Sequence, residues 1–582
     1  MRGVCDFVEL DESVYDFVKS IALKNASQHN GRTNVNVVLS HLMSTKLDLK
    51  NSVDKLLPII KEVVQEVNNL SIEQQGVLIQ EFSKYYKEEK SVEKGVSLQE
   101  LANAQQGTVI TRFPPEPNGY PHIGHAKAAI IDEEYARMYN GKMILRFDDT
   151  NPLNEKIEYY QAIRDGLEWL GIKPDLVKNT SDDISVLHNY GKRLVSEGHA
   201  YICTCTSDII HKNRAEQIEC DCRRDQNEAN DRFHRMFDGH YSQNEAIIRF
   251  KGDMQSLNTV MRDPTLFRII DHPHPLLGSK VRVWPTYDLA APIEDSMDGV
   301  THALRTKEYE LRNELYYSIL SKLKMRSPIL IEFSRLEFDG MPVSKRKIKP
   351  LLEDGIISSW DDPRLPTLIA LHHRGFVPEA IRKFILGLGI TLAETKPPFE
   401  TLESINRKMI DPISLKLFFV SSPVELRVEG GKFGKIELRN HPTQDLGNRE
   451  VEIANKFYIT SPDAEDLQIG QKVRLMELYN IKILEIRYEN NKKVLIGSYE
   501  GDSVIQNMKK IQWVAENDAV EFSVKVPREL FIGDKYNPNS LELKTGYAES
   551  LVSKLKAGTL VQFIRFGFCS LLNGKSATYT HR

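Results

Sequence analysis

The segment Thr108–Ala129 constrains the fold of this chain more than any other stretch. It opens with a β-branched run, Thr108–Thr111, that predicts a buried strand. Prolines and Gly119 then predict a turn, and the amphipathic residues from Ala126 towards Gly141 predict a helix. A strand, a turn and a helix in this order bind phosphate in α/β folds, because the helix start presents unpaired backbone N–H groups and the positive end of its dipole.

Two histidines stand at the predicted start of this helix. His122 and His125 flank Gly124 there, and histidine donates hydrogen bonds in its charged or its neutral form near neutral pH. The glycine lets a ligand approach the backbone closely. Taken alone, the pair is equally compatible with helix caps or solvated side chains, because so short a motif depends on its context.

The next elements continue the α/β pattern. Met143–Phe147 is a short apolar run that predicts a strand, and Asp148 follows at its carboxyl end, the edge at which open parallel sheets bind ligands. Helical spacing begins at Ile157, and a helix between parallel strands predicts half of a doubly wound domain. The run Val281–Asp288 predicts the point at which the parallel fold resumes.

Length and charge exclude several classes of protein. A chain of 582 residues is too long for one core, so we expect several domains. The formal net charge of -4 indicates that any RNA-binding surface must be a local basic patch. No apolar run reaches the roughly 20 residues that a membrane helix needs, and the acidic start of the chain lacks the apolar segment of a signal peptide. We therefore expect a soluble cytoplasmic protein with no membrane segment.

Four of the six cysteines form two close pairs, Cys203 with Cys205 and Cys220 with Cys222. Four thiolates are the number and kind of ligand that tetrahedral zinc prefers. The spacing differs from the commoner finger pattern, and four unrelated thiols in a reducing cytosol are the alternative. A zinc ion held here has a structural role, because protein ligands fill every coordination position.

The two ends of the chain differ in periodicity. Apolar residues near the N-terminus follow helical spacing after a possible cap at Asp11. After Pro412, apolar and polar residues alternate between turn residues at repeated intervals, as in Val424, Leu426 and Val428. We therefore expect helices at the start of the chain and antiparallel β-barrels at its end.

Several of these blocks carry a family resemblance. The block RFPPEPNGYPHIGHAKAA, which begins at Arg112, resembles the HIGH signature of class I aminoacyl-tRNA synthetases with the flanks of their glutamyl and glutaminyl branch. The block WPTYDLAAPIEDSMDGVTHALRTKEYELRNE, which begins at Trp284, is highly similar to that of archaeal and eukaryotic glutamyl members. The helical start and the β-rich end resemble the archaeal glutamyl type, so the resemblance covers nearly the whole chain.

A basic loop carries a second signature of the same family. Four cations follow Gly340 closely, Lys345, Arg346, Lys347 and Lys349. On composition alone this is a solvated loop that can bind any polyanion. The sequence VSKRK resembles the KMSKS loop of class I synthetases, but Pro342 stands where the family has its first lysine. The resemblance therefore assigns the stabilisation of phosphate charge to Lys345, on a loop that closes over the triphosphate.

The resemblance implies a multidomain α/β protein built around a class I Rossmann-type catalytic domain. The implied domains are an N-terminal helical domain at 1–105, the first Rossmann half at 106–185, an inserted acceptor-stem-binding domain with the candidate zinc knuckle at 186–283, the second Rossmann half at 284–325, the KMSKS loop with a helical stem-contact region at 326–411, and an antiparallel β-barrel anticodon-binding region at 412–582.

The implied activity is ATP-dependent ligation of L-glutamate to tRNA(Glu) through a glutamyl-adenylate, with tRNA(Gln) as a second acceptor. ATP with Mg²⁺ is the nucleotide substrate, and Zn²⁺ is structural. Carried over residue by residue, the family's sites fall on the following positions: catalysis on His122, His125 and Lys345; ATP binding on these with Gly124, Ser344 and Arg346; amino-acid binding on Arg112, Asp148, Tyr287 and Arg305; and zinc on Cys203, Cys205, Cys220 and Cys222.

Arg305 separates glutamate from glutamine in this interpretation. The glutaminyl enzymes usually carry a smaller uncharged residue there, and a lone buried arginine beside an uncharged substrate is costly. Without the resemblance, Arg305 is a surface arginine paired with Glu308 or Glu310. Two alternatives stay open: a glutaminyl-tRNA synthetase, and a catalytically silent tRNA-binding paralogue. The intact signature residues, His122 and Lys345 among them, disfavour the second alternative.

Overall fold

The computed structural model describes residues 12–28, 31–35, 37–39, 42, 53–81, 98–224, 228–394 and 396–582. The chain divides into two compact units, Met1–Ser97 and Leu98–Arg582. None of the helices among the described residues has the length and apolar character that spanning a membrane would demand.

The first unit is helical, as its periodicity predicts. Its helices are α1 Glu12–Gln28, α2 Val53–Asn69 and α3 Ile72–Glu81. Apolar side chains of the first two helices form one buried core, because they recur with the spacing of one helix face; Val18, Ala22, Leu56 and Ile60 are among them. The predicted cap Asp11 lies outside the described residues.

The second unit begins with alternating strands and helices. Its strands up to the helical region are β1 Ile110–Phe113, β2 Lys142–Phe147, β3 Leu176–Asn179, β4 Ala200–Cys203, β5 Ile247–Phe250, β6 Thr265–Ile269, β7 Val283–Pro285, β8 His302–Thr306 and β9 Ile329–Phe333. The helices are α4 Ile123–Met138, α5 Ile157–Trp169, α6 Ile184–Ser196, α7 Ser207–Glu216, α8 Asp221–Arg224, α9 Ala229–Phe237, α10 Tyr287–Met297, α11 Asn313–Lys322, α12 Lys345–Glu353, α13 Leu368–His373, α14 Pro378–Leu388 and α15 Phe399–Ile410.

Five parallel strands lie side by side, in a three-stranded sheet and a two-stranded sheet. β1 pairs in parallel with β2, β2 with β3, and β8 with β9. The Thr301 N–H donates to the Ile110 carbonyl at 2.9 Å, and the Arg112 side chain reaches the Leu304 carbonyl, so β8 lies beside β1 and runs the same way. The order β9-β8-β1-β2-β3 is that of a doubly wound half-sheet, and this fold prediction is confirmed.

The predicted continuation of the parallel fold at Val281–Asp288 is wrong. The strand found there, β7, is antiparallel to β6, with Val283 opposite Ile269, and it closes the separate sheet β4-β5-β6-β7. The parallel sheet resumes at His302 instead. An apolar run predicts a strand but carries no information about its partner, because parallel and antiparallel buried strands have the same composition.

The described C-terminal part contains two seven-stranded sheets and two two-stranded sheets. Its elements are β10 Leu415–Leu417, β11 Phe419–Ser421, β12 Pro423–Glu429, β13 Gly434–Arg439, β14 Asn448–Ile453, β15 Lys456–Thr460, α16 Ser461–Glu465, β16 Lys472–Leu475, β17 Asn480–Glu489, β18 Lys492–Tyr499, β19 Lys510–Ile511, β20 Val514–Ala515, β21 Ala519–Pro527, β22 Phe531–Ile532, β23 Lys535–Tyr536, β24 Leu541–Glu549, β25 Leu560–Phe563, β26 Gly567–Asn573 and β27 Ser576–His581.

Each of the two seven-stranded sheets closes into a barrel. One runs β10-β25-β26-β27-β21-β24-β11, and the other runs β19-β16-β17-β18-β12-β15-β20. The first and last strands of each sheet are consecutive in the chain, so each sheet returns to its own starting segment. The prediction of C-terminal barrels is confirmed, but they are not wholly antiparallel, because β10 pairs in parallel with β25, β21 with β27, β12 with β18 and β16 with β19.

The segment of β10 and β11 serves both barrels. Leu417 and Phe419 are buried in the core of the first barrel, whereas Phe418 and Val420 are buried in the core of the second. Successive side chains of an extended segment point to opposite faces, so one strand can fill two cores.

Candidate active site

A cleft of about 440 Å³ lies at the carboxyl ends of the parallel strands. A second cavity of about 320 Å³ adjoins it, and His122 and His125 line both. The structure brings most of the predicted site residues to these two cavities. The first contains Arg112, His122, Gly124, His125, Asp148, Tyr287 and Arg305, and the second contains His122, His125, Ser344 and Arg346.

The two histidines cap the first turn of α4. The Gly124 N–H donates to Nδ1 of His122 at 3.1 Å, and the His122 N–H donates to Nδ1 of His125 at 3.2 Å. A neutral imidazole whose Nδ1 accepts carries its proton on Nε2. The structure thus shows both rings in the capping role, and the same two rings line the two cavities.

Gly124 is required for this arrangement of rings. A Cβ at this position would lie 2.9 Å from Cε1 and 3.0 Å from Nδ1 of His122. The absence of a side chain lets the His122 ring fold over the helix start, 4.0 Å from the ring of His125.

Arg112 is buried at the end of β1 and is held by its neighbours. Its Nε and Nη2 donate to the two oxygens of Asp295 at 3.0 and 3.2 Å, and its Nη1 donates to the Leu304 carbonyl at 2.6 Å. Burial alone would lower the pKa of Arg112, but the charges of Asp295 and its other acidic neighbours together outweigh burial and raise that pKa. The guanidinium is thus a fixed cation in the wall of the cleft.

Arg305 at the end of β8 is buried without hydrogen bonds. Only 5% of the residue is exposed, and none of its guanidinium nitrogens has a hydrogen-bond partner in the described part of the chain. Its Nε lies 3.8 Å from Oε1 of Glu332, and its guanidinium lies 5.4 Å from the centre of the Tyr316 ring. A desolvated cation with unused donors is costly unless an anion meets it, so the cleft favours an anionic group here.

Tyr287 begins α10 and lies between the two arginines. Burial raises the pKa of its hydroxyl, and the charges of Arg112 and Arg305 oppose that shift. The neutral hydroxyl is therefore a hydrogen-bond donor on the same wall of the cleft.

Asp148 follows β2 on another wall of the cleft. Its Oδ1 accepts from the Thr180 hydroxyl at 3.0 Å and lies 3.5 Å from Nε of Arg146. Burial raises its pKa, and the charge of Arg146 opposes that shift. This carboxyl group is one of several acidic groups that line the cleft, with Glu116, Asp132 and Glu308.

The basic loop lies against the second cavity. Gly340 has a φ of +70°, and Phe338 and Met341 form a bridge around it, as the predicted turn requires. Helix α12 begins at Lys345, but the side chain of Lys345 lies outside the described residues. The Nζ of Lys347 donates to Asp534 of the first barrel at 2.9 Å, so this cation points away from the cleft.

The sequence interpretation missed Lys127, which also lines the cleft. Its Nζ donates to the carbonyl and hydroxyl of Ser334 at 2.6 and 3.1 Å. Burial lowers its pKa from 10.5 to about 8. The sequence held a signal, because this lysine falls on the helix face that Ile123 and Ile131 bury.

The four cysteines of the candidate zinc knuckle come together. Their sulfur atoms all lie within 4.8 Å of one another. Three of the separations are 3.7 Å for Cys203 to Cys220, 3.2 Å for Cys205 to Cys220 and 3.8 Å for Cys205 to Cys222. Sulfurs about 2.3 Å from a tetrahedral zinc ion lie about 3.8 Å apart, so this donor set fits that ion.

Family models match most of the second unit. The model described as tRNA synthetases class I (E and Q), catalytic domain, matches residues 108–412. Two models described as anti-codon binding domains of the same class match residues 415–500 and 510–571.

Curated relatives match over nearly the whole chain. A glutamate–tRNA ligase of Nitrosopumilus maritimus is 47% identical over 574 residues, which cover 98% of this chain and 100% of the relative. One of Cenarchaeum symbiosum is 47% identical, with 97% of this chain and 98% of the relative covered. One of Korarchaeum cryptofilum is 36% identical, with 96% and 98% covered.

Proposed function

The chain belongs to the class I tRNA synthetases of the glutamate and glutamine branch, and we propose that it ligates glutamate to tRNA with ATP. In the first step an α-carboxylate oxygen of glutamate bonds to the α-phosphorus of ATP, and pyrophosphate leaves. In the second step the terminal ribose hydroxyl of tRNA attacks the glutamyl-adenylate, and AMP leaves. The protein aligns these partners and neutralises their charges.

The buried guanidinium of Arg305 is the group that selects glutamate over glutamine. Its nitrogens have no hydrogen-bond partner in the described chain, and it faces the same cleft as Arg112. The side-chain carboxylate of glutamate supplies the hydrogen-bond acceptors that this cation lacks and a negative charge in addition to that of Glu332, whereas the amide of glutamine supplies no charge.

Other groups of the cleft then bind the common part of the amino acid. Asp148 meets the α-ammonium, Arg112 contacts carboxylate, and the Tyr287 hydroxyl donates a hydrogen bond. The cleft holds both acidic and basic groups, which match the two charges of an amino acid, so this assignment uses the charges that the structure brings together.

The wall shared by the two cavities binds ATP. His122, Gly124 and His125 present a helix start and Nε2 donors to the phosphates. Ser344 and Arg346 line the second cavity, and Lys345 supplies a cation from the loop as charge develops on the leaving pyrophosphate. Magnesium enters bound to ATP as part of the substrate.

The tRNA contacts follow the division of the chain. The barrels at 412–582 bind the anticodon region of tRNA(Glu), the inserted domain at 186–283 binds the acceptor stem, and the resemblance of the sequence to the archaeal type makes tRNA(Gln) a second acceptor. In the inserted domain the four cysteines hold a structural zinc ion, which their number and spacing fit. We place the activity in the cytoplasm.

The test of this function is ATP–pyrophosphate exchange in the presence of tRNA, with glutamate and with glutamine. We expect exchange with glutamate only. Arg305→Met removes the charge and keeps much of the volume, and we expect it to raise the KM for glutamate about 30- to 1,000-fold, because a desolvated charge-assisted pair is lost. The matched control is Arg282→Met, at an exposed arginine paired with Asp271.

Faster exchange with glutamine by the unaltered protein would show that the substrate is glutamine. An unchanged KM for glutamate in Arg305→Met would remove this residue from the amino-acid site. Charging of purified tRNA(Glu) and tRNA(Gln), followed by identification of the esterified amino acid, decides whether the second acceptor is used.

A further inference from the structure

A buried carboxylate lies beneath the amino-acid side of the cleft. Asp295 belongs to α10, and its side chain is fully buried. Its Oδ1 accepts from Nε of Arg112 at 3.0 Å and from Nη2 of Arg146 at 2.7 Å. Its Oδ2 accepts from Nη2 of Arg112 at 3.2 Å and from the Tyr316 hydroxyl at 2.9 Å. Four donors occupy the lone pairs of this one group.

Each donor of this carboxylate leads to a group in the cleft. Arg112 lines the cleft itself. Arg146 extends its Nε to within 3.5 Å of Oδ1 of Asp148. Tyr316 lies under Arg305, with 5.4 Å between the guanidinium and the ring centre. One buried side chain therefore connects to three of the four residues that we assign to the amino acid.

The charge of this group is maintained despite its burial. Burial alone would raise the pKa of Asp295, but the charges and hydrogen bonds of Arg112 and Arg146 outweigh it and lower that pKa. The ionised carboxylate of Asp295 accepts two parallel hydrogen bonds from Arg112, and this bidentate contact fixes the plane of the guanidinium.

We infer that Asp295 is a positioning residue that sets the orientation of Arg112, Asp148 and Arg305 for glutamate. The inference rests on the proposed function, because these three residues are the proposed contacts of the amino acid. Recognition of a carboxylate requires its partners to be held within about 0.5 Å of the positions that allow binding. A change at Asp295 that shifts these partners therefore weakens glutamate binding. The side-chain hydrogen bonds described for Asp295 lead to Arg112, Arg146 and Tyr316, so we expect the ATP-binding residues to keep their geometry.

If Asp295 had a different role, its neutralisation would change the KM for glutamate in the opposite direction. If Asp295 served only to balance the charges of Arg112 and Arg146, its neutralisation would leave the cleft more positive and would lower the KM for the anionic substrate. If it positions those groups, the same change raises that KM. The direction of the change therefore distinguishes the two roles.

The experiment measures ATP–pyrophosphate exchange with tRNA present in the full-length protein. Asp295→Asn keeps the shape and removes the charge, and we expect it to raise the KM for glutamate about 30-fold or more while the KM for ATP is unchanged. Tyr316→Phe removes only the hydroxyl donor and keeps the ring under Arg305, and we expect a rise of about three- to tenfold. Tyr317→Phe is the matched control, since its hydroxyl donates to the Pro328 carbonyl outside this cluster.

Thermal unfolding of each variant accompanies these measurements. If Asp295→Asn fails to fold, Tyr316→Phe decides the matter alone. A KM for glutamate that falls or stays constant in the folded variants, or one that rises together with the KM for ATP, overturns the positioning role. Unaltered protein that activates no glutamate overturns the proposed function instead, so the two failures are distinct.

Discussion

At the scale of single residues, Lys127 is an ionisable group whose burial has a measurable cost. Its pKa in the folded protein is about 8, below its ordinary value of 10.5, because burial disfavours the charged form. Below pH 8 the lysine is protonated in both states, and the folded state carries the full cost of the buried charge. Between these two values the folded state loses the proton first, so the unfolded state binds more protons and stability rises with pH.

We therefore expect the stability of the unaltered protein, relative to Lys127→Met, to increase by about 1–3 kcal/mol between neutral pH and the ordinary pKa of lysine. Thermal unfolding of both proteins across this pH range measures the difference between their stabilities. The other titrating groups contribute equally to both proteins, so their effects cancel in this difference. Lys192→Met, at an exposed lysine of α6, is the control and should show a constant difference. A constant difference for Lys127→Met as well would contradict the burial argument.

At the scale of secondary-structure elements, the start of α4 shows how one motif serves two purposes. The sequence left helix capping and ligand binding as alternatives for His122 and His125. In the structure each ring uses Nδ1 to satisfy the first turn. Capping also fixes which nitrogen carries the proton in the neutral ring. The cap therefore prepares the donor that the proposed phosphate contact needs.

The candidate zinc site at the same scale is the cysteine knuckle at the end of β4 and the start of α8. Cys220 is buried, and its sulfur is near those of Cys203 and Cys205. We expect Cys220→Ser to abolish a bound zinc ion that the purified protein otherwise holds, and to lower the unfolding temperature, because ion binding contributes folding free energy. Metal analysis by mass spectrometry measures the content.

Cys569→Ser is the control for this change, since Cys569 is a free, buried cysteine of the first barrel. It should leave the zinc content unaltered. Protein that contains no zinc before mutation, or that keeps its zinc in Cys220→Ser, would refute the assignment.

At the scale of the whole second unit, a hairpin of the first barrel packs on the basic loop. The Phe531 N–H donates to the Gly340 carbonyl at 3.0 Å, and Asp534 accepts from Lys347 at 2.9 Å. Leu530, just before the hairpin, is buried in one cluster with Ile348 of α12. The loop that carries the proposed ATP contacts is thus supported by a part of the chain far away in sequence.

Leu530→Ala tests this support. The cavity left by truncating a buried leucine costs about 2–5 kcal/mol, and it lies at the contact between hairpin and loop. We expect a higher KM for ATP and an unchanged KM for glutamate in the exchange reaction. Leu543→Ala is the control, because Leu543 is 59% exposed on the same barrel. An equal rise in the KM for ATP and the KM for glutamate would indicate a general loss of structure and would contradict a specific support of the loop.

The aromatic residues of the barrels illustrate what sequence patterns leave open. Phe563 and Phe566 fall in a run whose alternation predicts a strand without showing which side faces RNA. The structure buries Phe563 in the barrel core and leaves Phe566 partly buried beside it. The sequence could not show which face of the strand is the core face, because apolar and polar residues alternate in the same way whichever face is buried.

The sequence by itself determined the local elements of this protein. The strand–turn–helix at the histidines, the strand before Asp148, the helix from Ile157 and the alternating strands after Pro412 follow from side-chain periodicity, and periodicity reflects only the helical repeat and the strand pleat. Family motifs in the same stretches identified the residues that the structure then gathered around one cleft.

Only the tertiary structure decided which distant groups meet. It made β7 antiparallel, it brought Lys127 to Ser334 across 207 positions of the chain, and it set Arg112 on Asp295 across 183. Such contacts depend on how layers pack and sheets close, which is a property of the folded chain as a whole. No spacing within the sequence contains that information.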